Sequence, residues 1–411
     1  MLAWQPNRHY NHAPITIPFV EIERVNLCRD SRSLRRAIWA GIGFLVVEDE
    51  IDTDLAMPGD DLIKPYQELT YLGRVRRMRR LAQVALAAYG IADARFELLR
   101  QAGNTLFRVY TPGLPTAKTD EELFEEGQYL LRVHEPGYQE PDAIALELAW
   151  LAAMRRDADL PVPEPIPALD GRLLLPVSLP GIPQTRNCSL LRWVKGRSLK
   201  NRFRPRHLQA QGRLMARLHH FAARWQPPAG LTKRRFDWDG LFQDDVGSGM
   251  PNAEAWELLS PHHRESFAFV AQQVRDVMDA WGTSPDVYGL IHGDLAVDAN
   301  LLFWHGQPRA IDFDDSGFGY WVFDLAVALD ACWEDADFSR YRESLLDGYA
   351  EFRSLPGKQL ERIELFLAAV QVYWNLWAIG GTHLYPSLRQ EYGERIARNA
   401  GLVVRYVRGN P

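Results

Sequence analysis

Three groups of polar residues stand close together in the second half of this chain: His292-Gly293-Asp294, then Asn300, then Ile311-Asp312-Phe313-Asp314. Leu290-Ile291 precedes the first and Leu301-Leu302-Phe303 follows the second, so the acids fall where short apolar strands end. Trp304-His305-Gly306-Gln307-Pro308 reads as a turn between two short hairpin strands, bringing Asp294, Asn300 and Asp312 to one end. Phosphoryl transfer asks for that set. It needs a carboxylate to orient and deprotonate the attacking hydroxyl, and hard oxygen ligands for Mg²⁺ on the nucleotide phosphates. Asp294 suits the first task, and Asn300 and Asp312 suit the second. Spacing carries the case, because acidic residues alone are common. His292 reads as a residue that shapes the loop. Asp314 and Asp315 read equally as an extended metal site, a selector of cationic acceptors, or caps of the following turn.

The elements that must hold these loops are legible upstream. Phe96-Glu97-Leu98-Leu99-Arg100 and Thr105-Leu106-Phe107-Arg108-Val109-Tyr110 alternate at period two around Gln101-Ala102-Gly103-Asn104, which predicts a hairpin. An acidic insert from Thr119 to Gly127 leads to a third strand, Tyr129 to His134. A helix is expected from about Pro141 to Arg155, with Ile144, Leu148, Leu151 and Ala152 on one stripe. Strands are expected over Arg172–Val177 and Ser189–Val194, and the chain after Gly196 reads as mainly helical.

Composition excludes several classes. The 411 residues are 46% hydrophobic and 24% charged, an ordinary globular mixture long enough for two lobes. A net charge of −6 gives no basic face for general nucleic-acid binding. Three scattered cysteines suggest neither a disulfide framework nor a cysteine zinc site, and favour a reduced, cytoplasmic compartment. The apolar run Ala37 to Val47 is too short for a membrane helix, which needs about 20 residues, so no membrane is expected. The basic run from Leu72 to Leu81 reads as the solvated face of an amphipathic helix, and His219-His220 and His262-His263 as surface pairs.

Together these motifs resemble the aminoglycoside phosphotransferase/choline kinase-like family, which shares the protein-kinase fold. The resemblance rests on His292-Gly293-Asp294, Asn300, Ile311 to Asp314 and Phe323-Asp324-Leu325-Ala326, with the hairpin, third strand and helix before them in the family's order. It implies an α+β, bilobal architecture: a small β-rich N-lobe, a larger mainly helical C-lobe, and an N-terminal extension. We take residues 1–80 as the extension, 81–193 as the N-lobe and 194–411 as the C-lobe. It further implies ATP and Mg²⁺ as cofactors, with Asp294 as catalytic base and Asn300 and Asp312 as metal ligands. Gly103, Asn104 and Thr105 would lie over the phosphates, Leu191, Arg192 and Trp193 would meet the adenine, and Asp324 would brace the catalytic loop. Two departures stand out. The third strand offers Arg132 where the family has lysine, with Glu147 as its expected ion-pair partner, and Asn300 lies one position later than usual, with Asp298 as a rival.

The acceptor would be a small-molecule hydroxyl, on an aminoglycoside, choline, homoserine or a sugar. A nucleotide-binding module without transfer, or a kinase acting on protein hydroxyls, is the alternative. Trp321, Trp333, Tyr373 and Trp374 read as core before they read as a box for a quaternary ammonium group. A haloacid-dehalogenase-type reading of Asp312-Phe313-Asp314 is rejected, because only Lys358 remains beyond it and the tail reads as helices where that site needs parallel βα units. The identity of the acceptor and the oligomeric state are not written in this sequence.

Overall fold

The computed structural model describes residues 64–112, 114, 120–244, 250–384 and 389–409. The apolar run before residue 48 and the β-rich patch near Ile15 lie outside the described residues. The first long element is helix α1, Tyr71–Ala88, opened by Thr70, whose hydroxyl accepts the Gly73 N–H at 3.2 Å. It buries Met78, Leu81, Ala82, Ala85 and Leu86, a helical stripe, against the small lobe's core. The expected division at residue 80 falls inside this helix. The basic run within it is not uniformly solvated: Arg77 is buried and donates to the carbonyls of Gly181 and Lys64. Its apolar stem packs while its guanidinium finds backbone oxygens.

The small lobe is an antiparallel sheet of β1 (Arg95–Ala102), β2 (Asn104–Tyr110), β3 (Phe124–Val133), β4 (Pro165–Ile166), β5 (Leu175–Val177) and β6 (Arg186–Val194). Its order is β1-β2-β3-β6-β4, with β5 also on β6. The strand β3 starts inside the stretch read as an acidic insert, because Phe124 is fully buried and pairs with Val194. A register shift between Phe124 and Tyr129 breaks the alternation and hides this strand from a period-two reading. Helix α2, Pro141–Ala158, carries Pro at its start and Asp142 in its first turn, and buries Ile144, Leu148 and Leu151 as its stripe predicts. It runs past Arg155 to a left-handed Asp159.

The large lobe packs α3 (Pro205–Ala222), α4 (Pro261–Trp281), α5 (Trp321–Asp330), α6 (Phe338–Ala350), α7 (Ile363–Leu384) and α8 (Arg389–Val407). Short strands β7 (Arg197–Ser198), β8 (Arg235–Phe236), β9 (Tyr288–Ile291), β10 (Leu301–Trp304), β11 (Gln307–Ala310) and β12 (Gly317–Tyr320) form two three-stranded sheets, β11-β10-β7 and β8-β12-β9. Thus β10 and β11 make the expected hairpin, while β9 pairs with β12, so the first acidic loop leaves β9 beside the point where the second enters β12. Helix α7 is long and apolar enough to cross a membrane, yet 89% of that stretch is buried within the protein, which marks it as a core helix. Helices α3 and α6 touch backbone to backbone: a Cβ on Gly212 would lie 2.0 Å from the Leu345 carbonyl oxygen, and one on Gly348 1.9 Å from that of Gln209.

Candidate active site

The loop after β9 is built on its own backbone. Gly293 has φ +79°, and a Cβ there would lie 2.6 Å from the Phe236 ring and 2.9 Å from the Asp315 carbonyl oxygen, so only glycine fits. Asp324, at the start of α5, accepts the N–H of His292 at 3.3 Å and of Gly293 at 2.8 Å. Its other partner is His219, whose Nε2 lies 2.9 Å away while Nδ1 meets the Tyr349 hydroxyl at 2.9 Å. Burial works upward on Asp324, but the His219 hydrogen bond and the nearby donors outweigh it, so the carboxyl is held below its ordinary value. Burial lowers His219, which is therefore neutral at physiological pH. This corrects the surface reading of His219: it is a buried part of the loop's brace, and only its neighbour His220 faces solvent.

His292 is likewise fixed. Its Nε2 donates to the Ile311 carbonyl at 3.0 Å, its Nδ1 accepts the Asp294 N–H at 3.3 Å, and burial lowers its pKa. A neutral ring with both nitrogens engaged is a spacer between the two acidic loops. Asn300 then settles on Asp294: its Nδ2 donates to the Asp294 carbonyl at 2.9 Å and to the carboxylate Oδ2 at 2.8 Å. That leaves the side-chain amide oxygen of Asn300, Oδ1, available to a cation. The rival Asp298 is buried elsewhere, raised to about 7 by burial, and is felt by Asp330 rather than by Asp294.

Across the cleft, Arg132 on β3 forks between two acids. Its Nη1 donates to Glu147 Oε1 and its Nη2 to Asp312 Oδ1, each at 3.0 Å. The expected Arg132–Glu147 pair is therefore present, and it is joined to the second acidic loop. Asp312 adopts φ +64°, a left-handed conformation costly for a residue with a Cβ and typical of functional loops. Burial and the adjacent Asp314 push its carboxyl up to about 8, although 38% of the side chain opens to the cleft. Burial, then Asp315 and Asp312, holds Asp294 well above the ordinary carboxylate range. Asp314 goes the other way: Arg132, Lys233 and Arg234 outweigh burial and keep it ionised. Four acids so close carry more negative charge than their neighbours balance, a setting that suits a divalent cation. Among the described residues no three His, Cys, Asp or Glu side chains converge as an all-protein metal cage. Mg²⁺, which keeps water and phosphate oxygens in its shell, does not require one.

The remaining expected residues are placed unevenly. Gly103 lies at the β1–β2 tip with φ +62°, beyond the last ladder pair of Ala102 with Asn104. Asn104 turns inward, accepting the Glu135 N–H at 3.1 Å and reaching Asp314 Oδ2 at 3.4 Å. Thr105 is buried within β2, opposite Val133. Leu191 packs in the core, and the Arg192 N–H is taken by the Glu164 carbonyl at 2.9 Å. Trp193 lies under the Arg108 guanidinium, 4.2 Å from its ring centre. Of the aromatic residues, Trp321, Trp333, Tyr373 and Trp374 are all buried, and Arg395 stacks on Trp374 at 5.1 Å. They form core, and the protein's own cation covers Trp374.

Sequence reasoning missed Lys233, Arg234 and Tyr138. Arg234 pairs with Asp315 at 2.8 Å, and Lys233 lies buried against Glu147 and the loop after Asp312. No periodicity flags either residue, since both precede the two-residue strand β8. A cavity of about 270 Å³, lined by Tyr138, Gln139, Thr232, Arg234, Asp314 and Tyr373 among others, opens beside these acids. A larger hollow of about 480 Å³ lies over the β2–β3 turn and touches none of the four acids.

A small antiparallel lobe joined to a helical lobe, with acids gathered in the loops that face it, defines the two-lobed fold of the protein kinases and their small-molecule relatives. Within that class the chain belongs to the phosphotransferase enzyme family, whose model matches residues 120–360. It is an enzyme of the phosphotransferase class that uses an alcohol as acceptor. A solved structure described as a microcompartment-associated aminopropanol kinase is similar at a TM-score of 0.66 and 28% identity, over 80% of this chain and 98% of that one. The amicoumacin kinase hAmiN, solved in complex with AMP-PNP, Ca²⁺ and Ami, shares the fold at a TM-score of 0.60 and 17% identity, over 76% of this chain and 88% of that one. An uncharacterized protein of Deinococcus radiodurans is 26% identical over 309 residues, 73% of this chain and 81% of that one.

Proposed function

We propose that this protein moves the γ-phosphate of ATP, in a Mg²⁺-dependent reaction, to a hydroxyl group of a small molecule. The observation that carries this is the double fork of Arg132, which ties Glu147 of the small lobe to Asp312 of the large one at 3.0 Å each. A guanidinium held in that plane can turn its remaining in-plane N–H groups to phosphate oxygens, as a fixed cation in a partly dry cleft. Asp294 takes the proton of the attacking hydroxyl. Its raised affinity for a proton suits a base that must accept one, and the Asn300 amide holds its carboxylate in orientation. Asn300 and Asp312 would hold Mg²⁺, which when bound neutralises charge on the phosphate oxygens. Gly103 offers backbone N–H groups over the phosphates, and Leu191 to Trp193 borders the adenine side, with donors other than the Arg192 N–H.

For the acceptor we favour a small amino alcohol. The named aminopropanol kinase structure supports this, as does the excess of carboxylates around Asp294. We place the reaction in the cytoplasm, in keeping with the free, buried thiols of Cys188 and Cys332.

The test is ADP release from ATP and Mg²⁺ across a panel of amino alcohols, amino sugars and sugars. Asp294→Asn should lower kcat by about three orders of magnitude with little change in nucleotide affinity. Nucleotide binding without turnover of any acceptor by the wild-type protein would instead favour a binding module.

A further inference from the structure

Lys233 comes from the large lobe and reaches a carboxylate of the small one. Its Nζ lies 3.6 Å from Glu147 Oε2, 3.3 Å from the Phe313 carbonyl oxygen and 3.1 Å from that of Asp314. Two of the ammonium hydrogens go to these backbone carbonyls, and the charge faces Glu147 as an ion pair. Glu147 Oε2 is buried and accepts no hydrogen bond, so the Lys233 charge is what balances it in a dry setting. The other oxygen of the same carboxylate serves Arg132.

Two ion pairs thus cross the cleft in opposite senses. Arg132 of the small lobe meets Asp312 of the large one, and Lys233 of the large lobe meets Glu147 of the small one. The first pair joins groups that the phosphates and a cation would each engage. The second joins groups whose partners are all protein. Lys233 also grips the backbone immediately after Asp312, the residue in the left-handed conformation. Gln139 and Asn104 hold Asp314 from the small-lobe side.

We propose that Lys233 is a positioning residue: it latches α2 of the small lobe to the loop that carries Asp312, and so sets that carboxylate for a nucleotide-bound divalent cation. This rests on the reading of Asp312 as a metal ligand. It also explains how a strand bearing arginine keeps its partner glutamate in place, since Glu147 is gripped from both sides.

The experiment measures the affinity of ADP with and without Mg²⁺, by calorimetry, in the full-length protein. Lys233→Met should weaken Mg²⁺–ADP by about tenfold and leave metal-free ADP nearly unchanged, a change in ratio that a general loss of stability does not produce. Glu147→Gln should shift the same ratio, and the double variant should be no worse than the more affected single one. Additive effects, or an unaltered ratio in folded Lys233→Met, overturn the latch. Should Lys233→Met not fold, Lys233→Gln serves, since it keeps a donor for the two carbonyls and drops the charge facing Glu147. A folded Lys233→Gln with the wild-type ratio overturns the proposal equally. A wild-type protein that binds no ADP under either condition defeats the proposed function instead, and the two failures are told apart by that control.

Discussion

At the scale of single residues, the site is a set of charges kept apart by geometry. Arg132 makes two 3.0 Å bonds with one planar group, which lysine cannot do from the same strand position. Arg132→Lys should therefore raise the KM for ATP by about tenfold while kcat changes less, because one arm of the fork is lost and the charge is kept. A variant with unchanged KM would mean that the guanidinium serves only the resting protein. Much of this was legible in the chain. Asp294, Asn300 and Asp312 announce themselves because they lie within one short stretch, and Arg132 with Glu147 follows from the order of strand and helix. Lys233 was not legible, because the carbonyl it grips lies 80 residues further on and its own segment has no periodicity. The sequence favours Asn300 over Asp298 because it directly precedes Leu301-Leu302-Phe303, and the structure turns Asp298 into the protein and Asn300 onto Asp294.

Elements matter here through the ends they present. The loop that carries Asp294 leaves β9 through Gly293, whose φ of +79° and tight contacts with Phe236 and Asp315 leave no room for a side chain. Gly293→Ala should cost about 2–4 kcal/mol of stability and nearly all turnover, read by thermal melting and by ADP release. An active, stable alanine variant would show that the loop relaxes more than a packed interior allows. The period-two and helical patterns located the hairpin, α2 and the β10–β11 pair, since each is local. They found the second half of β3 but missed its start at Phe124, where a register shift interrupts alternation, and they misjudged the basic run of α1, where the stem of Arg77 packs and its head finds carbonyl oxygens. Side-chain type alone does not report such partners.

For the molecule as a whole, buried acids tie stability to pH. Asp330 is fully buried, accepts the Gln371 amide at 2.6 Å, and burial raises it from 3.8 to about 6. A raised carboxyl binds its proton more tightly when folded, so its contribution is greatest at low pH. It declines as pH rises from about 4 to 6 and stays level beyond. The difference corresponds to about 3 kcal/mol. Asp330→Asn should accordingly raise the denaturant midpoint at pH 8 and leave it almost unaltered at pH 4, and an equal gain at both would point to packing, not charge. One further feature acts over the same distance. Helices α3 and α6 meet with no side chains between them at Gly212 and Gly348, and the His219–Tyr349 link that supports Asp324 bridges that same seam. A joint without soft material transmits displacement instead of absorbing it. The seam is therefore a datum surface for the loop that carries Asp294, and a methyl group added there would be felt as a misalignment at that carboxylate.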